Sequence, residues 1–204
     1  MNKILSLFIA AACLLVSYHA SAQTGLTDSD RDFAFNHLKQ SQKKLQKVVK
    51  GLSDTQLNFK ASPESWSIAE CVEHMAISES VIFSFIEGSL KTAADPSLRS
   101  EVKMTDEQII QLTTDRSTKV QTREVFEPKH SFGSFQGALD EFNNRRKSSL
   151  KYVKSTKDDL RNHYFDFPFG KADSFQVLLF MSGHSIRHIK QIEEILATPT
   201  FPSS

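Results

Sequence analysis

Trp66-Ser67-Ile68-Ala69-Glu70-Cys71-Val72-Glu73-His74-Met75 opens the segment that decides the fold. Ser67 with Glu70 three residues later is a capping box, in which each side chain satisfies a backbone N–H that the new helix leaves free. Trp66 stands where a staple residue packs over the first turn. From there Ile68, Val72, Met75, Ile82, Phe85 and Ile86 recur at helical spacing, until Gly88 and the polar residues through Pro96 end the run.

The same period appears in three other long segments. The first helix is predicted to begin near Asp28 to Asp30 and run to about Lys50, with Phe35, Leu38, Leu45, Val48, Val49 and Leu52 inward and Lys39, Lys43, Lys44 and Lys47 toward water. The third starts at Ser134 and reaches about Lys154, burying Phe135, Leu139, Phe142, Leu150 and Val153. Ser174 is the expected cap of the fourth, which carries Phe175 to Leu196. Thr105 to Gln108 repeats the capping pattern before Ile109, Ile110 and Leu112, predicting a short helix inside the irregular stretch 92–133. Tyr164 to Gly170 reads as an aromatic-rich turn. Four long helices with a long helix 2–helix 3 connection make an all-α four-helix bundle.

The first residues read as an export signal. Lys3 gives the positive end, Ile4 to Val16 the apolar stretch, and Ala20-Ser21-Ala22 the small-residue cleavage site. Cys13, preceded by three alanines, leaves a lipoprotein signal as the alternative, although Leu14-Leu15-Val16 prolongs the apolar run past it. Residues 1–22 are thus assigned to the signal and 23–204 to one domain of roughly 180 residues, exported to a periplasm or secreted. No stretch after the signal is apolar for long enough to span a membrane. With 25 Lys and Arg against 24 Asp and Glu, no broad basic face invites nucleic acid. Past the signal Cys71 is the one cysteine, which excludes an internal disulfide.

His184 and His188 sit four residues apart, on one face of the fourth helix, with Cβ atoms roughly 5–6 Å apart. Seven histidines in this chain would give about 0.2 such pairs by chance, so spacing alone does not separate a metal-binding pair from two core-edge histidines bonded to backbone. His74, on the second helix, is the candidate third donor; three imidazoles and an open position are the arrangement of catalytic zinc sites. Cys71, one turn before His74, is either a fourth donor or a small core hydrophobe. Glu70 has capping as a sufficient role, and acts as a base only if its side chain turns inward. Arg187 either binds a substrate carboxylate or pairs with Glu193 or Glu194, and Gln191 is placed to orient the His188 ring. Phe165, Phe167 and Phe169 wall a pocket or staple the end of the bundle, while His37, His130 and His163 read as surface or loop residues.

Residues 66–74, the turn Phe167-Pro168-Phe169-Gly170 and the stretch His184-Ser185-Ile186-Arg187-His188-Ile189-Lys190-Gln191-Ile192 together resemble the DinB-like superfamily, in order and separation, over about Asp30 to Leu196. The resemblance implies a four-helix bundle that binds one divalent metal ion, zinc or nickel, through His74, His184 and His188. Some members of that superfamily are thiol-dependent transferases or isomerases. This chain lacks the His-His-Arg-Gly-Gln ending of the bacillithiol-transferase branch and is similar to the branch ending in Arg-His-x-x-Gln-Ile. The expectation is an exported metal-binding protein, a hydrolase or a thiol or group transferase acting on a small-molecule substrate. The alternative is a non-catalytic metal-binding or stress-associated helical module. Relatives also imply a possible homodimer.

Overall fold

Helix starts are the most strongly encoded feature of the molecule. The computed structural model describes residues 25–203, so the expected signal lies outside the described residues. Six α-helices follow: α1 (Asp28–Val48), α2 (Asp54–Leu57), α3 (Ile68–Ser89), α4 (Asp106–Thr114), α5 (Phe135–Ser155) and α6 (Ser174–Leu196). Capping boxes open five of them, at Thr27 with Asp30, Ser53 with Gln56, Ser67 with Glu70, Thr105 with Gln108 and Asp173 with Gln176. The cap of α6 is therefore Asp173, one residue before the expected Ser174. Its carboxylate accepts from Gln176 N at 2.7 Å and also meets Arg99 and Arg161. α5 has its Ser134 cap without the reciprocal partner, because the third helical residue is Gly137, where a side chain would overlap the Phe132 carbonyl.

α1, α3, α5 and α6 form the four-helix bundle. α1 packs on α5 and α6, and so does α3, which places α1 diagonally across from α3. The core clusters give the directions. One end joins Leu38 of α1 to Ile86 of α3, Val153 of α5 and Phe175 of α6; the other joins Leu45, Ile68, Ala138 and Ile192. α1 and α6 hence run one way, α3 and α5 the other. Parallel neighbours cannot be joined by a tight turn, so the chain must travel the length of the bundle between α3 and α5. Residues 90–134 do this, with α4 laid across α6. Gly183 permits that crossing: a methyl there would overlap the Thr113 hydroxyl of α4.

The aromatic turn is a β-hairpin, β1 (Tyr164–Phe167) paired antiparallel with β2 (Gly170–Asp173). Four-residue strands this short carry too little alternation to be separated from a turn by pattern. Among the described residues, no helix is long and apolar enough to cross a membrane.

Between the two apolar clusters lies a polar layer. Arg146 of α5 is fully buried and uses all five of its N–H donors. Two go to the Glu79 carboxylate of α3 at 2.9 and 2.5 Å, two to Leu38 O and Ser41 Oγ of α1 at 2.7 and 2.5 Å, and one to Ser185 Oγ of α6 at 2.8 Å. Removing one partner of a buried ion pair strands the other charge in a medium that cannot solvate it. Arg146→Ala is expected to cost about 3–5 kcal/mol of stability in urea titrations. The double variant with Glu79→Ala should lose less than the sum of the two singles, because the stranded carboxylate goes with it.

Candidate metal centre

α3 and α6 run antiparallel across one face of the bundle, and at their crossing three imidazoles meet. His74 Nε2 and His188 Nε2 each lie 3.2 Å from His184 Nε2, and no two of the three candidate ligand atoms are more than 4.8 Å apart. Two nitrogens held tetrahedrally by one zinc at roughly 2.0–2.1 Å would stand about 3.3 Å apart, so this spacing would suit a shared ion. His74 and His188 are buried and His184 is partly exposed.

The far nitrogens set the tautomers. His74 Nδ1 lies 2.7 Å from the carbonyl of Phe126, in the 3-10 turn Glu124–Phe126, and His188 Nδ1 lies 2.9 Å from Gln191 Oε1. A carbonyl and an amide oxygen only accept, so both rings carry their proton on Nδ1 and turn an Nε2 lone pair inward. Arg116 Nη1, 3.5 Å from the same Gln191 oxygen, holds that amide in this orientation while its other donors clamp Glu194 at 2.7 Å. His184 Nε2 has at most one proton to offer two inward lone pairs. The donor set is thus short of an electrophile, a condition that one divalent cation would satisfy at all three nitrogens.

Electrostatics favour the neutral rings that metal binding requires. Burial pushes His74 down to about 4. It drives His184 and His188 well below the usual histidine range, with further lowering from the charge each ring would feel from its neighbours. Trp66 covers two of the rings, with centroids 4.8 Å from His74 and 6.0 Å from His188.

The long connection forms the roof, and both flanks pin it. On the α6 side, Arg187 donates to Thr118 O at 2.6 Å and Lys190 to Thr114 O at 2.9 Å. On the α3 side, the buried Glu73 carboxylate accepts from Lys129 N and Ser131 N at 3.1 and 2.6 Å. Arg187 therefore serves the roof, and the ion pair with Glu194 expected of it belongs to Arg116.

The other candidates sort by their contacts. Gln191 reaches the His188 ring as its spacing suggested. Glu70 stays in its capping box and pairs with Lys60 at 2.8 Å, so it does not turn toward the rings. Cys71 packs among Leu45, Val72 and Ile192, outside the histidine group, and burial raises its thiol to about 12. His163 lies in the loop before β1, as its reading allows, yet it is buried, with ring nitrogens against Asp159 O and Thr92 O at 2.8 and 3.1 Å. His37 lies edge-on to Phe33, and His130 is exposed. The Phe126 carbonyl, Trp66 as a cover, Arg116 and the Glu73 clamp escaped the sequence reading. A backbone carbonyl leaves no trace in side-chain pattern, and Arg116 comes from a segment with no period. Glu73 carried a faint signal, an acid flanked by inward-facing Val72 and His74.

A helical bundle that brings three neutral imidazoles from two antiparallel helices to one point defines a class of histidine-centred bundle proteins. Within it, the chain belongs to the DinB superfamily, whose family model matches residues 37–192. It is 28% identical over 148 residues to the protein YuaE of Bacillus subtilis (strain 168), described as uncharacterized, covering 72% of this chain and 87% of YuaE. Its fold is similar to that of YfiT from Bacillus subtilis, described as a probable metal-dependent hydrolase with an unusual four-helix bundle topology. The TM-score is 0.55 at 17% identity, covering 84% of this chain and 88% of YfiT.

The depressed histidines give a pH dependence to the metal-free protein. Unfolding restores ordinary basicity, so below about pH 6.5 the unfolded chain binds more protons than the folded one and stability falls as pH falls. With chelator present, urea midpoints should drop between about pH 6.5 and 4, by up to about 1.4 kcal/mol per pH unit for each histidine that titrates only on unfolding. His188→Gln should make that slope shallower.

Proposed function

We propose that this protein is a metal-dependent hydrolase of small molecules, holding one divalent ion, zinc or nickel, through His74, His184 and His188. The observation that carries this reading is the convergence of three Nε2 atoms, two of them stripped of protons by fixed oxygen acceptors on the far side of their rings. The description of YfiT as a probable metal-dependent hydrolase supports the same assignment. When bound, the ion supplies Lewis acidity to a water or substrate oxygen at the position that three ligands leave open.

The chain's own contribution is orientation and exclusion of water. Phe126 O and Gln191 hold the tautomers, Trp66 closes one side of the rings, and His184 lies toward the more open side. Glu70, Glu73 and Glu79 are each committed to a cap, a loop clamp and an ion pair, so the α3 carboxylates nearest His74 in sequence are not poised as proton acceptors. Proton transfer is accordingly assigned to solvent rather than to these carboxylates. We also read residues 1–22 as an export signal, which would place this chemistry in a periplasm or outside the cell.

Purified protein is expected to carry about one equivalent of zinc or nickel, and His184→Ala to lose it. Hydrolysis of small esters or amides should stop on chelation, return on adding metal back, and fall by at least about 100-fold in His184→Ala. Protein that stays metal-free and ignores added ions would overturn the reading. Bound metal that raises the melting temperature without any turnover would leave a non-catalytic binding module.

A further inference from the structure

Six aromatic rings form a chain that ends on the candidate metal centre. Phe85 of α3 stacks on Phe165 of the hairpin at 4.6 Å, and Phe165 meets Phe167 at 4.8 Å. Phe167 stacks on Phe169 at 4.8 Å with planes 10° apart, and Phe169 and Phe180 are 24° apart at 6.2 Å. Phe180, one turn before His184 on α6, lies 14° from the plane of the His184 ring with centroids 6.2 Å apart. Phe167, Phe169, Phe180 and His184 are all partly exposed. The steps between successive rings of this quartet are thus nearly parallel, and the quartet runs from the hairpin to the least covered ligand.

The three phenylalanines pack with one side against the core cluster, and as an offset stack that stays half exposed they leave apolar ring surface open beside His184. Trp66 covers His74 and His188, and Phe126 of the roof meets His74 edge-on, which leaves His184 as the least covered ring. Along α3, Ser78 lies one turn from His74 in the direction of Phe85, and its hydroxyl is buried with no hydrogen-bond partner. A buried polar atom left without a partner costs about 1–3 kcal/mol, so α3 lacks a polar partner one turn beyond His74.

We propose that Phe167, Phe169 and Phe180 form the substrate subsite of the metal centre, accepting a flat aromatic group attached next to the bond that reacts. This rests on the metal reading above and deepens it: the substrate class is a small aryl compound with a metal-binding oxygen beside the ring. Phe180 and Phe169 act as specificity-determining residues, the first lying nearly parallel to the His184 ring and the second extending the stack onto the hairpin.

The test is binding to zinc-reconstituted protein by calorimetry, with benzohydroxamate and acetohydroxamate as probes that share a chelating head and differ in the ring. Benzohydroxamate is expected to bind at least about tenfold more tightly. Phe180→Leu and Phe169→Leu, which keep apolar bulk but remove the flat face, should bring the two affinities toward equality with zinc content unchanged. Phe180→Ala should do the same, and the leucine variants keep the test decisive if alanine disturbs the fold. Equal affinities in the parent protein, or a preference that survives both leucine variants, would overturn the subsite and leave the metal centre standing. Failure of both probes, in protein that holds no zinc, would overturn the centre and the subsite together.

Discussion

One guanidinium fixes the register of the whole bundle. Arg146 stands on α5 and donates to α1, α3 and α6 at once, so all four long helices meet at a single side chain. Apolar contacts tolerate sliding by a helical turn, since one leucine replaces another at modest cost. A guanidinium with five directed donors, buried in a medium where each unmet donor is expensive, does not. Its partners are neighbours of the functional residues: Ser185 follows His184, and Glu79 lies five residues after His74. Locking Glu79 and Ser185 to one group therefore sets the α3–α6 alignment that puts the imidazoles opposite each other. A buried ion pair adds little net stability, and here its effect is on which alignment is allowed.

The helices were legible because local signals and the periodic pattern agree. Ser67 with Glu70 and Thr105 with Gln108 were read as start sites, and both are capping boxes in the structure. Residue type alone does not separate Asp173 from Ser174, since both types cap helices, and the reciprocal bonds with Gln176 decide for Asp173. The polar layer also left a mark. On α5 the stripe Phe142, Arg146, Leu150 has a cation at an inward position, and on α3 the stripe Met75, Glu79, Ile82 has an acid at the matching level. Opposite charges in two apolar stripes are the sequence image of a buried pair.

The site was legible in its donors and hidden in its supports. Histidines at helical spacing are visible in any sequence, but the oxygen that fixes His74 belongs to the backbone of a loop. The hairpin was read as a turn, so the order of its phenylalanines along two strands, and their alignment with Phe180, could not be foreseen. The connection between α3 and α5 shows the same limit. Its length follows from two parallel neighbours, while its path over the rings depends on long-range anchors at Glu73, Arg187 and Lys190.

The 110 residues separating His74 from His184 have a bearing on how the molecule assembles. In a nascent chain an ion would encounter only the neighbouring pair on α6, a weak bidentate grip, because the third donor arrives when α3 docks and the intervening loop has closed. Capture of a metal by these three histidines would thus belong to the last stage of folding, as a seal on a finished body rather than a seed for it. A centre built this way would be completed only in the compartment where the chain finishes folding, and would draw its ion from there.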